Sequence, residues 1–210
     1  RLTTDAPLSY IENEASFVLA RPVHMVFGTD EPFEGALEST CRDFSERTRD
    51  YWLEWVRRLA FSVDWQDEFI RAGITLKLCN YEETGAIVAA LTTSIPEGPR
   101  SGRNWDYRYC WMRDAFFVVR ALNRIGATRT MEDFISYILT ISTGRAGSLQ
   151  PLYGVVHTDL LEERTAEALA GYGGDGPVRV GNAAVHQTQH DVYGSIIMAA
   201  TPMFFDRRLP

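Results

Sequence analysis

Leu37-Glu38-Ser39-Thr40-Cys41-Arg42-Asp43-Phe44-Ser45-Glu46-Arg47-Thr48-Arg49-Asp50-Tyr51-Trp52-Leu53-Glu54-Trp55-Val56-Arg57-Arg58-Leu59 sets the period on which the fold class turns. Leu37, Cys41, Phe44, Thr48, Trp52, Trp55 and Leu59 recur every three or four residues and line one helix face. Glu38–Arg42, Asp43–Arg47 and Glu54–Arg58 place acid before base at i,i+4, each pair worth about 0.2–0.5 kcal/mol. One long amphipathic helix over residues 37–59 follows.

Upstream, residues 1–29 read as β. Ser16-Phe17-Val18-Leu19-Ala20 and Val23-His24-Met25-Val26-Phe27 are short β-rich runs on either side of Arg21-Pro22. Two strands alone bury little, so they are expected to belong to a larger sheet lying before Arg1. Downstream, Asp64 is the expected N-cap of a second helix with Phe69, Ala72, Leu76 and Leu78 inward and Gly73 in its middle. Residues 81–105 are rich in turn formers. Between the turns, Ala86-Ile87-Val88-Ala89-Ala90-Leu91 fits a strand or a buried helix equally. A third helix runs from Arg113 to Ile125 with Gly126 at C′. A fourth starts at Thr130, where Thr130 and Asp133 form a capping-box pattern, and ends before Gly144. Loop is expected over 144–182, with a helical stretch over 160–170, and a last helix over 183–200.

Composition narrows the function classes. The 210 residues are 45% hydrophobic and 12% aromatic, enough for a sizeable core. A net charge of −7 argues against nucleic acid, whose phosphates need clustered Lys and Arg. The apolar run 135–141 is far too short to span a bilayer, and with no leader pattern the expected location is cytoplasmic. Cys41, Cys79 and Cys110 are widely spaced and odd in number, which reads as reduced thiols. The start at Arg1 and the stop at Pro210 are read as truncation.

The chemistry is expected in Arg103-Asn104-Trp105-Asp106-Tyr107-Arg108-Tyr109-Cys110-Trp111-Met112-Arg113-Asp114. A sugar offers apolar C–H faces and a rim of hydroxyls. Aromatic rings match the faces, and Asp/Arg pairs match neighbouring hydroxyls. Taken alone, Arg113–Asp114 is equally a structural ion pair and the rings equally core. However, residues 104–115 closely resemble the segment that opens the substrate pocket of glycoside hydrolase family 15, the family of glucoamylases, glucodextranases and prokaryotic trehalases. Tyr81–Ala90 with Thr92-Thr93-Ser94, Leu149–Val155, and 177–184 through 189–194 resemble its bacterial members, in the same order along the chain.

The resemblance implies a mainly α fold: part of an (α/α)6 helical barrel preceded by the last strands of an N-terminal β-sandwich. Its domains would be 1–30 (sandwich end), 31–62 (linker helix) and 63–210 (first part of the catalytic barrel). By the same resemblance, Arg113 and Asp114 grip the non-reducing-end glucose, and Tyr107 and Trp111 line that subsite. Asn182, Gln189 and Asp191 contact the substrate or support the pocket wall. The implied activity is hydrolysis of an α-glucoside with inversion, on a glucose-containing oligosaccharide or disaccharide, without metal or cofactor.

Inversion needs two carboxyl groups roughly 6.5–9.5 Å apart. The resemblance places both glutamates after residue 210, so no catalytic residue is expected here and the chain alone is expected to be inactive. Glu162-Glu163 precedes the expected position, and neighbouring helix residues diverge by about 100°, so the pair is assigned to solvated surface. Two other readings remain: a non-catalytic carbohydrate-binding or helical interaction module, and a metal-dependent hydrolase using His186 and His190 at i,i+4. The second lacks the glutamate of the zincin pattern. Apolar faces of an unclosed barrel are expected to favour self-association.

Overall fold

The computed structural model describes residues 1–60, 62–143, 148–156, 161–205 and 207. It is mainly helical, with short paired strands between the helices. The chain divides into two compact units, Arg1–Arg57 and Arg58–Pro210.

In the first unit, β1 (Leu2–Thr4) is followed by α1 (Leu8–Glu12), β2 (Met25–Phe27) and α2 (Leu37–Arg57). β1 and β2 are antiparallel with Thr3 opposite Val26. Asp5 clamps the pair: its Oδ1 accepts the His24 amide at 2.9 Å and its Oδ2 lies 2.8 Å from His24 Nδ1. The expected strand over 16–20 is absent. Val18 is 89% and Leu19 70% exposed, so that run has no surface to pack on, and packing decides strand formation more than propensity does. α2 matches the periodic stretch closely, but none of its residues is buried.

In the second unit come α3 (Gln66–Leu78), β3 (Asn80–Tyr81), β4 (Ala86–Ile87), β5 (Cys110–Trp111), α4 (Met112–Arg124) and α5 (Thr128–Ser142). β6 (Leu152–Tyr153), β7 (Arg164–Thr165), β8 (Arg179–Val180), a 3-10 turn (Ala183–His186), α6 (Asp191–Ala200) and α7 (Pro202–Phe205) complete it. β3 pairs with β4, β5 with β6 and β7 with β8, all antiparallel. The core lies where α4 meets α5 and α6. Met112, Ala115, Phe116 and Val119 from α4 meet Met131, Phe134, Ile135 and Ile138 from α5, with Val192 and Ala199 from α6. The ambiguous run after Gly85 is extended and buried at Ala86 and Ile87. Gly85 has φ +83°, and a Cβ there would stand 2.1 Å from the Asp133 carbonyl oxygen, so the hairpin can pass α5 only at a glycine.

Several boundaries depart from the periodic reading, each for a local reason. α3 is not capped by Asp64: Trp65 takes the N-cap position at φ 62° with no side-chain cap. Its inward face is Gly73 and Lys77 rather than Phe69 and Leu78, which are 43% and 47% exposed. Lys77 buries its stem while Nζ reaches Asn80 Oδ1 at 2.9 Å and Glu82 Oε1 at 2.5 Å. α5 begins at Thr128, so Thr130 is interior and buried rather than a capping-box residue. Residues 161–170 hold β7 instead of a helix, because Arg164 and Thr165 pair with Val180 and Arg179. Residue 160 and the segment 144–147 lie outside the described residues. The expected helix over 183–200 is two pieces, since Gln187 turns extended at ψ 147°. His186 and His190 therefore do not share one helix face. Among the described residues, no three His, Cys, Asp or Glu side chains gather as a metal set, and no helix is long and apolar enough to cross a membrane.

Candidate functional site

Trp111 ends β5 and, in an extended conformation, is also the N-cap of α4. The Met112 amide donates to Pro151 O at 3.1 Å, which ties this junction to the segment leading into β6. Arg113 and Asp114 consequently fall in the first turn of α4, where the macrodipole favours a carboxylate. Asp191 opens α6, and Arg113 joins the two helix starts. Its Nη1 donates to Asp191 Oδ2 at 3.1 Å and to Gln189 Oε1 at 3.5 Å. Its Nη2 lies 3.5 Å from Asp114 Oδ2. That contact is electrostatic, without hydrogen-bond geometry: among the described residues, Asp114 Oδ2 is buried and accepts no hydrogen bond.

Tyr107, Trp111, Arg113, Asp114 and Asn182 all line one cavity of about 360 Å³, within the range of small-molecule sites. The Tyr107 and Trp111 rings are 6.0 Å apart and tilted by 59°. Burial pushes the Tyr107 hydroxyl pKa up, so it stays a neutral donor. Gln189 and Asp191 do not line the cavity; they hold Arg113 from the side. Asn182 lines it and also supports its wall. Its Nδ2 donates to Asp106 O at 3.1 Å, and its Oδ1 caps the 3-10 turn by accepting the Ala184 amide at 3.0 Å.

The wall is built from three loops stitched together at buried polar groups. Asp106 is fully buried and accepts both Nε and Nη2 of Arg108 at 2.8 Å. It also accepts the Gly181 amide at 3.2 Å. Fully buried Asn104 donates to Asp175 O at 2.8 Å and Pro177 O at 3.2 Å. Thr93 Oγ1 donates to Arg179 O at 2.7 Å, and the Arg179 amide returns a bond to Ser94 Oγ at 2.7 Å. These bonds between buried groups fix the loops in one arrangement.

The profile of glycosyl hydrolases family 15 matches residues 66–207, well over half of the chain. The chain belongs to glycosyl hydrolases family 15. Among curated relatives of this family 15 chain, trehalase from Mycolicibacterium smegmatis is 40% identical over 155 residues, covering 72% of this chain and 23% of the relative. Trehalase from Mycobacterium tuberculosis is 41% identical over 155 residues, with the same coverages. Trehalase from Thermoplasma acidophilum is 39% identical over 158 residues, covering 75% of this chain and 27% of the relative. The chain thus spans about a quarter of the length of these relatives. No solved structure matches it.

Three residues around this family 15 cavity were given no site role by the sequence reading. Trp105 lines it from inside the quoted motif. Glu163, assigned above to solvated surface, instead lines the cavity, and its side chain is only 16% exposed. Arg179 draws it in, with Nη1 donating to Glu163 Oε1 at 2.7 Å. Glu97 lies in the turn-rich segment and gathers two cavity aromatics. Its Oε1 accepts Trp105 Nε1–H at 3.1 Å and the Tyr107 hydroxyl at 3.5 Å, while Oε2 accepts Arg103 Nε at 2.5 Å. No local pattern marks Glu97 or Glu163, because their partners lie up to 20 residues away and are set by loop packing.

Proposed function

We propose that the chain supplies the glucose-gripping wall of an inverting α-glucoside hydrolase, with trehalose as the substrate. The carrying observation is that Arg113, Asp114, Tyr107 and Trp111 converge on one cavity. Arg113 and the half-exposed Asp114 carboxylate suit adjacent hydroxyls of a terminal glucose, one donating and one accepting. Tyr107 and Trp111 suit its C–H faces. Gln189 and Asp191 act through Arg113 by fixing its guanidinium. The relatives named trehalase favour trehalose over other α-glucosides. The family resemblance assigns α3 to α6 to a six-fold helical barrel and the two catalytic carboxyls to sequence after residue 210.

In this reading the chain contributes substrate positioning, which converts binding energy into alignment of the scissile bond. No cofactor takes part. Asp114→Asn in the full-length natural protein removes a charge-assisted bond of about 1.5–3 kcal/mol. The expected result is a fall of roughly tenfold to a hundredfold in kcat/KM for trehalose, measured by glucose release. Proton NMR of the first turnovers is expected to show one β-glucose per trehalose, the sign of inversion. Unchanged hydrolysis by Asp114→Asn would remove the pocket from the reaction.

A further inference from the structure

Glu163 and Trp105 share the cavity with Arg113 and Asp114, yet the grip described above uses neither. Arg179 connects the two. Its Nη1 holds Glu163 Oε1 at 2.7 Å, and its guanidinium carbon lies 5.1 Å from the centre of the Trp105 ring. The second carboxylate oxygen of Glu163 accepts the Ala183 amide at 3.3 Å. At 16% exposure this is a fixed charge on a cavity wall and not a solvated one.

The backbone is shaped to bring it there. The Asn182 amide donates to Leu161 O at 3.0 Å, which draws residues 161–163 against 181–182. Gly181, at φ +86°, permits the approach: a Cβ would stand 2.1 Å from the Glu162 carbonyl oxygen. Only glycine fits that crossing without moving backbone.

We propose that Glu163 is a further substrate-contacting carboxylate that selects the hydroxyl pattern of a neutral sugar, with Arg179 positioning Glu163 and Trp105 as one wall. The proposal rests on the pocket reading given above. A carboxylate offers about four acceptor sites, and the Arg179 and Ala183 bonds use one on each oxygen. The remaining capacity sits on a residue that faces the cavity. A sugar hydroxyl donating to it forms a charge-assisted bond, and the indole beside it suits the apolar ring face. A site built to pair a hydroxyl rejects analogues lacking that hydroxyl far better than an apolar wall does.

The test compares kcat/KM for trehalose and for the set of monodeoxytrehaloses, each lacking one hydroxyl, using the full-length natural protein. The wild-type protein is expected to discriminate sharply against the analogue that lacks the hydroxyl paired with Glu163. Glu163→Gln is expected to lower kcat/KM for trehalose roughly tenfold to a hundredfold. It should also erase the discrimination against that one analogue while sparing the rest. Arg179→Lys is expected to blunt the same discrimination by loosening Glu163, since an ammonium cannot reproduce the planar guanidinium that holds Glu163 while lying over the Trp105 ring. An equal loss on every analogue, the signature of a merely structural role, overturns the proposal. If Glu163→Gln fails to fold, Glu163→Asp keeps the charge but withdraws the carboxylate by one methylene. It must then show the same selective loss, and a flat profile overturns the proposal. Asp114→Asn separates the two levels. No effect there sinks the pocket reading itself, whereas an Asp114→Asn defect beside a silent Glu163→Gln sinks this inference alone.

Discussion

On α4 the buried residues Met112, Ala115, Phe116, Val119 and Leu122 follow the helical repeat. In the loops that wall the cavity, the buried residues include Asn104, Asp106 and Asn182, and they follow no repeat. The core is held by apolar contact, which is non-directional and proportional to area. The wall is held by hydrogen bonds that reach across as many as 86 residues of chain and tolerate little change in geometry. The two regions therefore fail differently. Damage to the core should lower stability and leave the shape of the folded cavity alone. Damage to the wall should alter sugar recognition by more than its effect on stability suggests.

The largest expected effect tests the core side of that comparison. Phe134 is fully buried between α5 and its neighbours. Phe134→Ala removes most of a ring and leaves a cavity, for a loss of about 3–5 kcal/mol read by denaturant unfolding. KM of the molecules that remain folded should stay near wild type. A KM that rises in step with the lost stability would merge the two regions into one.

A smaller loss of stability, with a larger effect on binding, is expected at the wall. At Gly181 an added methyl meets backbone, which cannot swing aside as a side chain can. Gly181→Ala should cost about 1–3 kcal/mol in backbone strain and raise KM for trehalose, because residues 162–163 must move. Gly98→Ala is the control, since nothing lies within 4 Å of a Cβ there. Equal KM in both variants would break the link between the 181 crossing and the cavity.

The same contrast explains what could be read in the sequence. α2, α4 and α5 were visible because a helix repeats its environment every turn, so period alone reveals it. Arg113 and Asp114 were visible because a contiguous motif carries them. The burial of α3 was misplaced: Phe69 and Leu78 are more hydrophobic than Gly73 and Lys77, but the face toward the protein is chosen by packing. Residues 161–165 run beside 179–182 as extended chain through pairings made by distant partners, so helix propensity in the segment was overridden. Glu163 looked solvated for that reason: nothing near it in sequence announces Arg179.

Glu97 gives the mildest and most specific probe of the wall. The Arg103 guanidinium, helped by Trp105 and Tyr107, holds its carboxyl below the ordinary glutamate value of 4.5. A carboxyl depressed on folding contributes fully above its unfolded pKa and loses that contribution as pH falls through its folded value. The orientation of Trp105 and Tyr107 should thus be intact at neutral pH and relax only in acid, below 4.5. In the wild-type protein, KM for trehalose is expected to rise on that acid side. Glu97→Gln keeps an acceptor for the indole but loses the attraction to Arg103, and exposed pairs are weak. Its KM at neutral pH should rise only about twofold to threefold, and its KM–pH profile should lose part of the acid limb. Every other group is common to both proteins, so the difference between the two profiles isolates Glu97. Superimposable acid limbs would show that the two cavity aromatics are oriented by ring packing alone, and the wall would then be more like the core than the hydrogen bonds suggest.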